Sequence, residues 1–217
     1  MLTSDQNRKI NEIVEEFKEA ADFYRMEYSE DLMGMFRDFG CMLLLKCKVD
    51  TEGKADLERL LEGRHKLKGT VKRQLMTVSE ELAQLWAPGE QDESGDTGEY
   101  EGSQNVREMF QTALEEIFHF CLYSKGGKNR YLLPEETAKP LLRLLTFPEG
   151  MMAGNEGLMV LDTQCGAGST LMTACKYLKN PKLMGYELDE ELWAAGIIIS
   201  RLSDLKMELH LQEEIPA

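Results

Sequence analysis

The sequence predicts an α/β protein in which a helical N-terminal domain precedes a partial, doubly wound (Rossmann-like) sheet. Over residues 1–123, apolar residues recur at the three-to-four-residue spacing of amphipathic helices. Over residues 124–217, short apolar runs alternate with helical segments, which is typical of a parallel sheet. A glycine-containing turn follows the first run, and the acidic residue Glu187 ends the second. We therefore expect two domains, 1–123 and 124–217.

The N-terminal domain is predicted to be formed by four helical regions. They cover residues 5–28, 31–47, 54–86 and 106–122. The third region is expected to break near Gly63 and Gly69, because glycine weakens a helix. The methionines of the second region, including Met33 and Met35, are interpreted as core filler rather than as part of a cofactor site.

A flexible acidic linker is predicted at residues 88–104. This segment holds six acidic residues, four glycines and no basic residue. Such a composition disfavours a packed structure. A DNA-mimicking or regulatory acidic segment is the alternative interpretation.

The C-terminal domain is predicted to contain a three-stranded sheet with two connecting helices. The strands are expected at residues 157–162, 182–187 and 206–211, and the helices at 169–179 and 190–204. Ligands of doubly wound sheets bind at the carboxyl ends of the strands, so the crevice should lie beside the first two strands. Gly185 is expected to serve strand packing. Asp189 is expected to cap the helix that begins near Glu190 rather than to brace a ligand.

The composition favours a cytoplasmic protein that does not bind nucleic acid nonspecifically by itself. The net charge is −14, from 25 basic and 39 acidic residues. There is no signal peptide at the start of the chain, and no apolar run approaches the roughly 20 residues of a membrane span. The three histidines are scattered and predict no metal site. A nucleophilic role for Cys165 is disfavoured, because no histidine is near it in sequence.

The glycine turn predicts a ligand that carries an adenosine and a positive charge. Gly166 and Gly168 allow a sharp turn and a close approach of the backbone to a ligand. A nicotinamide-dinucleotide site would need a small residue where Leu171 stands, and the lysine of a phosphate-binding loop is absent. Asp162 would repel a pyrophosphate but could engage an ammonium group, and Glu187 could accept hydrogen bonds from a ribose. S-adenosylmethionine fits these features, and a glycine turn that binds nothing is the alternative.

Three segments carry a resemblance to a known family. They are Arg130-Tyr131-Leu132-Leu133-Pro134, Asp162-Thr163-Gln164-Cys165-Gly166-Ala167-Gly168 and Gly185-Tyr186-Glu187-Leu188-Asp189. With them, residues 127–212 resemble the start of the catalytic domain of N6-adenine DNA methyltransferases, in particular the modification (M) subunits of type I restriction systems. The resemblance implies S-adenosylmethionine as the cofactor. The residues expected to bind it are Asp162, Cys165, Gly166, Gly168 and Glu187, with Tyr131 and Pro134 forming a wall.

The chain departs from this family in ways that bear on activity. Leu133 replaces the family's threonine before proline, and Thr163 replaces the proline after the acid. The adenine-methylating signature, Asp or Asn followed by Pro-Pro and an aromatic residue, is absent from the 217 residues. We therefore expect a truncated methyltransferase domain. Two functions stay open: the cofactor-binding portion of an enzyme whose other half is a separate chain, and a non-catalytic interaction module or decayed fragment.

One basic cluster is a candidate nucleic-acid contact. Arg64, Lys68 and Lys72 are spaced to share one face of a continuous helix, which could lie along phosphates. An ordinary solvated face, balanced by nearby acids, is the alternative. Any other DNA contact is expected to come through a partner chain.

A half-sheet is expected to leave apolar surface uncovered, which predicts association. The expected partner is a second copy, a methyltransferase half or a specificity-type chain, bound through the sheet edge and helix 190–204. This helix carries more apolar residues than one core face needs: Leu192, Trp193, Ile197, Ile198 and Ile199. In the alternative, the N-terminal helices cover this surface and the chain is a compact monomer.

Overall fold

The structure, a computed structural model, describes residues 2–29, 31–49, 55–62, 67–86, 101–124, 132–146 and 157–212. In chain order its elements are α1 (Ser4–Glu27), α2 (Met33–Lys46), α3 (Ala55–Glu62), α4 (Gly69–Ala83), α5 (Glu101–Leu122), α6 (Glu135–Thr146), β1 (Met159–Asp162), α7 (Ser169–Tyr177), β2 (Lys182–Glu187), α8 (Glu190–Leu202) and β3 (Met207–Leu211). Helices and a parallel sheet are both present, which confirms the predicted α/β class.

The chain divides into two compact units. One comprises Met1–Asp50 and Leu61–Lys128, and the other comprises Thr51–Leu60 and Asn129–Ala217. Most of α3 thus groups with the sheet-containing unit, although the sequence assigns it to residues 1–123. A contact within that unit agrees with this grouping: the Arg59 guanidinium lies 5.9 Å from the centre of the Trp193 ring.

The helical unit is held together by aromatic packing among α1, α2 and α5. The Phe17 and Phe39 rings meet edge to face at 5.0 Å, and the Phe36 and Phe118 rings lie 5.1 Å apart. These side chains are buried, and so are Met33 and Met35. The interpretation of these two methionines as core filler is therefore confirmed.

The break in the third helical region and the start of the fourth helix can be compared with the predicted positions. The third helical region is broken as expected, because α3 ends at Glu62 and α4 begins at Gly69. The fourth helix begins at Glu101 rather than at Val106, so residues 101–104 of the predicted linker are helical. Residues 88–100 of the linker lie outside the described residues.

The other unit contains the predicted parallel sheet, with strand order β1-β2-β3. Each strand and its following helix begin and end within two residues of the predicted positions. Asp162 pairs with Gly185, and Glu187 pairs with Leu211. Parallel strands end at a common side, which we call the carboxyl edge. The expected crevice beside the first two strands is therefore at this edge.

One face of the sheet is covered by α7 and α8, and the other is partly open. On the covered face, Leu183, Met207 and Leu209 are buried. On the opposite face, which we call the open face, Met159 and Leu161 of β1 are 62% and 54% exposed. β1 is also the edge strand, since only β2 pairs with it among the described strands.

The surface of α8 differs from the expectation that it would stay uncovered. The five residues named for a partner contact are at most 7% exposed: Leu192, Trp193, Ile197, Ile198 and Ile199. Apolar residues on several sides of a helix are typical of a helix buried all round. The five residues that the sequence predicts for a partner contact on α8 are thus buried in this fold. None of the described helices is long and apolar enough to cross a membrane.

Candidate ligand site at the carboxyl edge

The candidate site is built where β1 and β2 end and α7 begins. Residues 163–168, called here the glycine turn, connect Asp162 at the end of β1 to the first residue of α7. Asp162 stabilises the start of this turn, because its Oδ1 accepts a hydrogen bond from the Gln164 amide at 3.1 Å. The sequence prediction that Asp162, the two turn glycines and Glu187 lie together is supported by this placement.

Two consecutive amides attach the glycine turn to the end of β2. The Cys165 N–H donates to the Tyr186 carbonyl oxygen at 2.9 Å. The Gly166 N–H donates to Glu187 Oε2 at 2.7 Å. A third bond closes the turn on itself, from the Gly168 N–H to the Cys165 carbonyl at 2.8 Å.

Glycine is required at positions 166 and 168 by the backbone conformation. Gly166 has φ +58° and Gly168 has φ +83°, both in the left-handed region. No atom lies within 4 Å of the place where a Cβ of residue 166 would be, so a ligand could approach the backbone there. A Cβ at residue 168 would lie 3.3 Å from the Met207 methyl carbon.

Gly185 serves packing, as the sequence predicted. A Cβ on this β2 residue would lie 2.7 Å from Cys165 Sγ and 2.9 Å from Leu171 Cδ1. Real Cβ atoms do not approach so closely. The absent side chain therefore lets the turn and α7 lie against the sheet.

Gly196 has a similar role that the sequence analysis missed. A Cβ on this α8 residue would lie 2.7 Å from Leu209 Cδ1 and 3.1 Å from the Ala167 carbonyl oxygen. The glycine thus brings α8 against both β3 and the glycine turn. An isolated glycine inside an apolar helix was a usable signal, because such a residue often has a packing reason.

The Glu187 carboxylate is engaged by three backbone amides. Its Oε1 accepts from the Leu188 and Asp189 amides at 2.9 and 2.7 Å, and its Oε2 accepts from Gly166. The side chain is half-buried. A carboxylate oxygen can accept more than one hydrogen bond, so this arrangement leaves acceptor capacity on Oε2.

The electrostatics of the site are negative. Burial, with a further contribution from the carboxylates of Asp162 and Glu187, raises the pKa of the Cys165 thiol to about 12. Both acids therefore act on the same small volume. A protonated thiol is a poor nucleophile, which agrees with the expectation that Cys165 is not catalytic.

Asp189 caps α8. Its Oδ1 accepts hydrogen bonds from the Glu191 and Leu192 amides at 2.9 and 3.2 Å. These amides would otherwise lack a partner at the start of the helix. The preference for a cap over a ligand brace is confirmed.

The predicted wall of Tyr131 and Pro134 stays a prediction. Tyr131 lies outside the described residues. Pro134 is exposed, and its neighbour Glu135 accepts hydrogen bonds from Lys176 and Tyr177 in the last turn of α7. The glycine turn precedes the first turn of α7, roughly 12 Å away at 1.5 Å per residue. The hydrogen bonds of Glu135 thus lie near the end of α7 that is opposite the glycine turn.

The continuous helix on which Arg64, Lys68 and Lys72 would share a face is interrupted at Lys68. That face needs a continuous helix, whereas Lys68 is an extended residue that precedes α4 and Arg64 lies outside the described residues. Gly69, with φ +60°, begins the new helix. The geometric argument for a nucleic-acid contact through these three residues is lost with the shared face.

Comparisons with known proteins bear on the fold. No protein-family model and no curated protein sequence matches the chain. One similar solved structure is a Listeria monocytogenes protein assigned as a class I S-adenosylmethionine-dependent methyltransferase, with 16% identity and a TM-score of 0.55. Another is the methyltransferase subunit of a type I restriction-modification system from Streptococcus thermophilus, with 17% identity and a TM-score of 0.45.

Coverage is unequal in both comparisons. The matches cover 95% and 93% of this chain but 54% and 58% of the two solved chains, so the chain spans just over half the length of each. At such low identity, the likeness to the Listeria structure concerns the fold alone. The chain therefore has a partial Rossmann-like α/β fold of the kind seen in a class I methyltransferase structure.

Proposed function

We propose that the chain binds S-adenosylmethionine at the carboxyl edge and serves as the cofactor-binding part of a methyltransferase. The observation that carries the proposal is the pairing of two left-handed glycines with two carboxylates, Asp162 and Glu187, at neighbouring strand ends. The fold shared with the Listeria structure supports it.

The charge of the site favours this cofactor over a dinucleotide. Both carboxylates act on Cys165, and a pyrophosphate beside them would be repelled. S-adenosylmethionine instead carries a sulfonium and an ammonium group. In the proposal Asp162 faces the ammonium group, and Glu187 accepts hydrogen bonds from the ribose hydroxyls. The open space at Gly166 lets the ligand approach the protein backbone.

The proposed reaction is methylation of the N6 atom of adenine in DNA, within a restriction-modification system. Support comes from the resemblance of residues 127–212 to the modification subunits. Methyl transfer from a sulfonium needs mainly positioning of the adenine, which is flipped out of the duplex. The Pro-Pro-aromatic signature that does this in the family is not among these 217 residues, so in our proposal that part lies outside them.

A specific observation favours the alternative, a non-catalytic module. The Glu187 carboxylate already receives three backbone hydrogen bonds, and the glycine turn is closed by bonds of its own. The turn can therefore keep its shape for structural reasons without a cofactor.

The proposed partner is a protein that adds a strand parallel to β1 and places an apolar helix over the open face. Met159 and Leu161 are the exposed apolar residues there, while Glu208 and His210 make the β3 side of that face polar. The covering element should thus lie over β1. A second copy is disfavoured by the net charge of −14, which makes two copies repel.

Calorimetric titration with S-adenosylmethionine tests the cofactor proposal. The wild-type chain should bind, and Glu187→Ala should weaken binding by about 1.5–3 kcal/mol, the scale for a hydrogen bond to a charged group. Glu208→Ala is the matched control, because it removes the same charge from an exposed site on β3. Absence of heat with the wild-type chain at millimolar ligand would favour the non-catalytic module.

A radiolabelled methyl-transfer assay tests the catalytic part. The 217-residue chain alone should transfer no methyl group to an adenine-containing duplex, because it has no signature to position the base. Clear incorporation into DNA would mean that other residues of this chain position the adenine.

Light scattering and dye binding test the partner proposal. The purified chain should have a mass near 24.7 kDa and bind a hydrophobic dye at the open face. Leu161→Lys should reduce dye binding without changing the mass. A dimer in the wild type that Leu161→Lys dissociates would identify a second copy as the partner instead.

A further inference from the structure

We infer that Glu187 is a positioning residue for the glycine turn, in addition to its proposed contact with the cofactor ribose. The inference concerns one hydrogen bond, from the Gly166 N–H to Glu187 Oε2 at 2.7 Å, which we call the turn–carboxylate bond. It joins the turn after β1 to the end of β2, 21 residues further along the chain.

The orientation of the carboxylate is set from its own side. Oε1 is fixed by the amides of Leu188 and Asp189, at 2.9 and 2.7 Å. Those two amides belong to the short connection into α8, which Asp189 caps. Because Oε1 is held in this way, the orientation of the carboxylate is fixed, and Oε2 accepts a hydrogen bond from the Gly166 amide.

The backbone conformation of Gly166 is held by this hydrogen bond, whereas that of Gly168 also has a side-chain contact. No atom lies within 4 Å of the position of its missing Cβ, so no side chain packs there. Gly168, by contrast, faces the Met207 side chain and donates to the Cys165 carbonyl within the turn. Hydrogen bonding rather than packing therefore holds Gly166 at φ +58°.

The consequence for binding rests on the proposed function. Loss of the carboxylate would weaken binding of the cofactor by two routes. The ribose hydroxyls lose their hydrogen-bond acceptor, and the glycine turn loses its fixed shape in the ligand-free chain. The second route is a cost of ordering that a preformed site avoids. This cost should lower the binding affinity even of a ligand that has no ribose hydroxyls.

Amide hydrogen exchange, followed by NMR in the ligand-free chain, tests the turn–carboxylate bond without any cofactor. In the wild type the Gly166 amide should be protected. In Glu187→Ala it should exchange about tenfold faster or more, the scale for losing a hydrogen bond to a charged group. The amides of Leu183 and Leu209 in the sheet should be unchanged, which would exclude general unfolding. An unchanged rate at Gly166 would overturn the inference.

Glu187→Gln serves as a second variant that keeps the side-chain volume. A glutamine has one acceptor oxygen in place of two, so it cannot receive the Gly166 amide together with those of Leu188 and Asp189 in the observed geometry. Faster exchange at one of these three amides is expected. Glu208→Gln, on the exposed side of β3, is the matched control and should leave all three unchanged.

A ligand comparison separates the two routes. S-adenosylhomocysteine and its 2′,3′-dideoxy analogue would be titrated into the wild type and Glu187→Gln. If Glu187 acts on the ribose alone, the substitution leaves the affinity of the dideoxy analogue unchanged, and the inferred second route is wrong. If it also positions the turn, the substitution still weakens the analogue several-fold. Failure of both ligands to bind the wild type would reject the proposed function, and the exchange measurement would still decide the inference.

Discussion

Gly185 shows how one missing side chain permits the geometry of the carboxyl edge. The thiol of Cys165 and the side chain of Leu171 occupy the space that a Cβ would need. The same contact keeps Cys165 buried, and burial is the main reason its pKa is raised to about 12. One residue of β2 thus affects both the position of the glycine turn and the chemistry of its cysteine.

Gly185→Ala should destabilise the chain by about 1–3 kcal/mol, the usual cost of overpacking a close-packed site. The added methyl would meet Cys165 Sγ at 2.7 Å and Leu171 Cδ1 at 2.9 Å. Urea unfolding, followed by circular dichroism, measures the change. Adding Cys165→Ala removes the sulfur and should recover part of the loss. Equal stability of Gly185→Ala and the wild type would contradict the packing role.

At the scale of single residues, the sequence was informative wherever residue type alone decides the backbone. Gly166, Gly168 and Asp189 could be assigned because left-handed turns and helix caps accept few residue types. The turn–carboxylate bond could not be predicted, because it depends on the relative height of two strand ends. The position of Pro134 was unpredictable for a similar reason, since it follows from how α6 packs on α7.

Among the elements, α6 and α7 are joined by a charged contact. Glu135 accepts hydrogen bonds from Lys176 Nζ at 2.7 Å and from the Tyr177 hydroxyl at 3.1 Å. The Lys139 ammonium lies 4.9 Å from the centre of the Tyr177 ring. The hydrogen bonds from Lys176 and Tyr177 lower the pKa of Glu135 from its ordinary value of 4.5.

This lowered pKa predicts how the contact responds to pH. The folded-state pKa lies below the unfolded value, so the stabilisation is full above pH 4.5 and is lost as pH falls through the folded pKa. Because the pair is exposed, the effect should be small, about 1 kcal/mol or less. As the pH falls through the folded pKa, the protection of the Ala138 amide against hydrogen exchange should decrease relative to that of buried amides of α8. Glu135→Gln should remove this difference, and an unaltered pH profile in that variant would contradict the assignment.

The elements of the sheet-containing unit were predictable because their patterns are strong. β1, β2 and β3 are short apolar runs separated by helices of adequate length, and parallel pairing follows from that order. The helical face of the basic cluster was drawn through Lys68, which is extended because α4 begins only at Gly69. The four helical residues at 101–104 were missed because an acidic composition resembles a linker even where a helix has begun.

For the molecule as a whole, the sequence did not predict which apolar surfaces are covered in the fold. The sequence predicted excess apolar surface on α8, and the fold buries that helix on all sides. It also predicted an uncovered sheet edge, and Met159 and Leu161 do remain exposed on β1. Local periodicity indicates which residues are apolar, whereas their covering depends on packing that is distant in sequence.

The open edge of β1 has a final consequence, for colloidal behaviour in acid. A strand with one unpaired edge and exposed apolar side chains is a template for cross-β growth. Near neutral pH the charge of −14 keeps molecules apart, but this protection disappears near the isoelectric point of about 4.8. Fibrils that bind thioflavin should therefore form fastest near that pH. Leu161→Lys places a gatekeeper charge on the strand and should delay them, whereas a lysine at exposed Met26, on α1, should not.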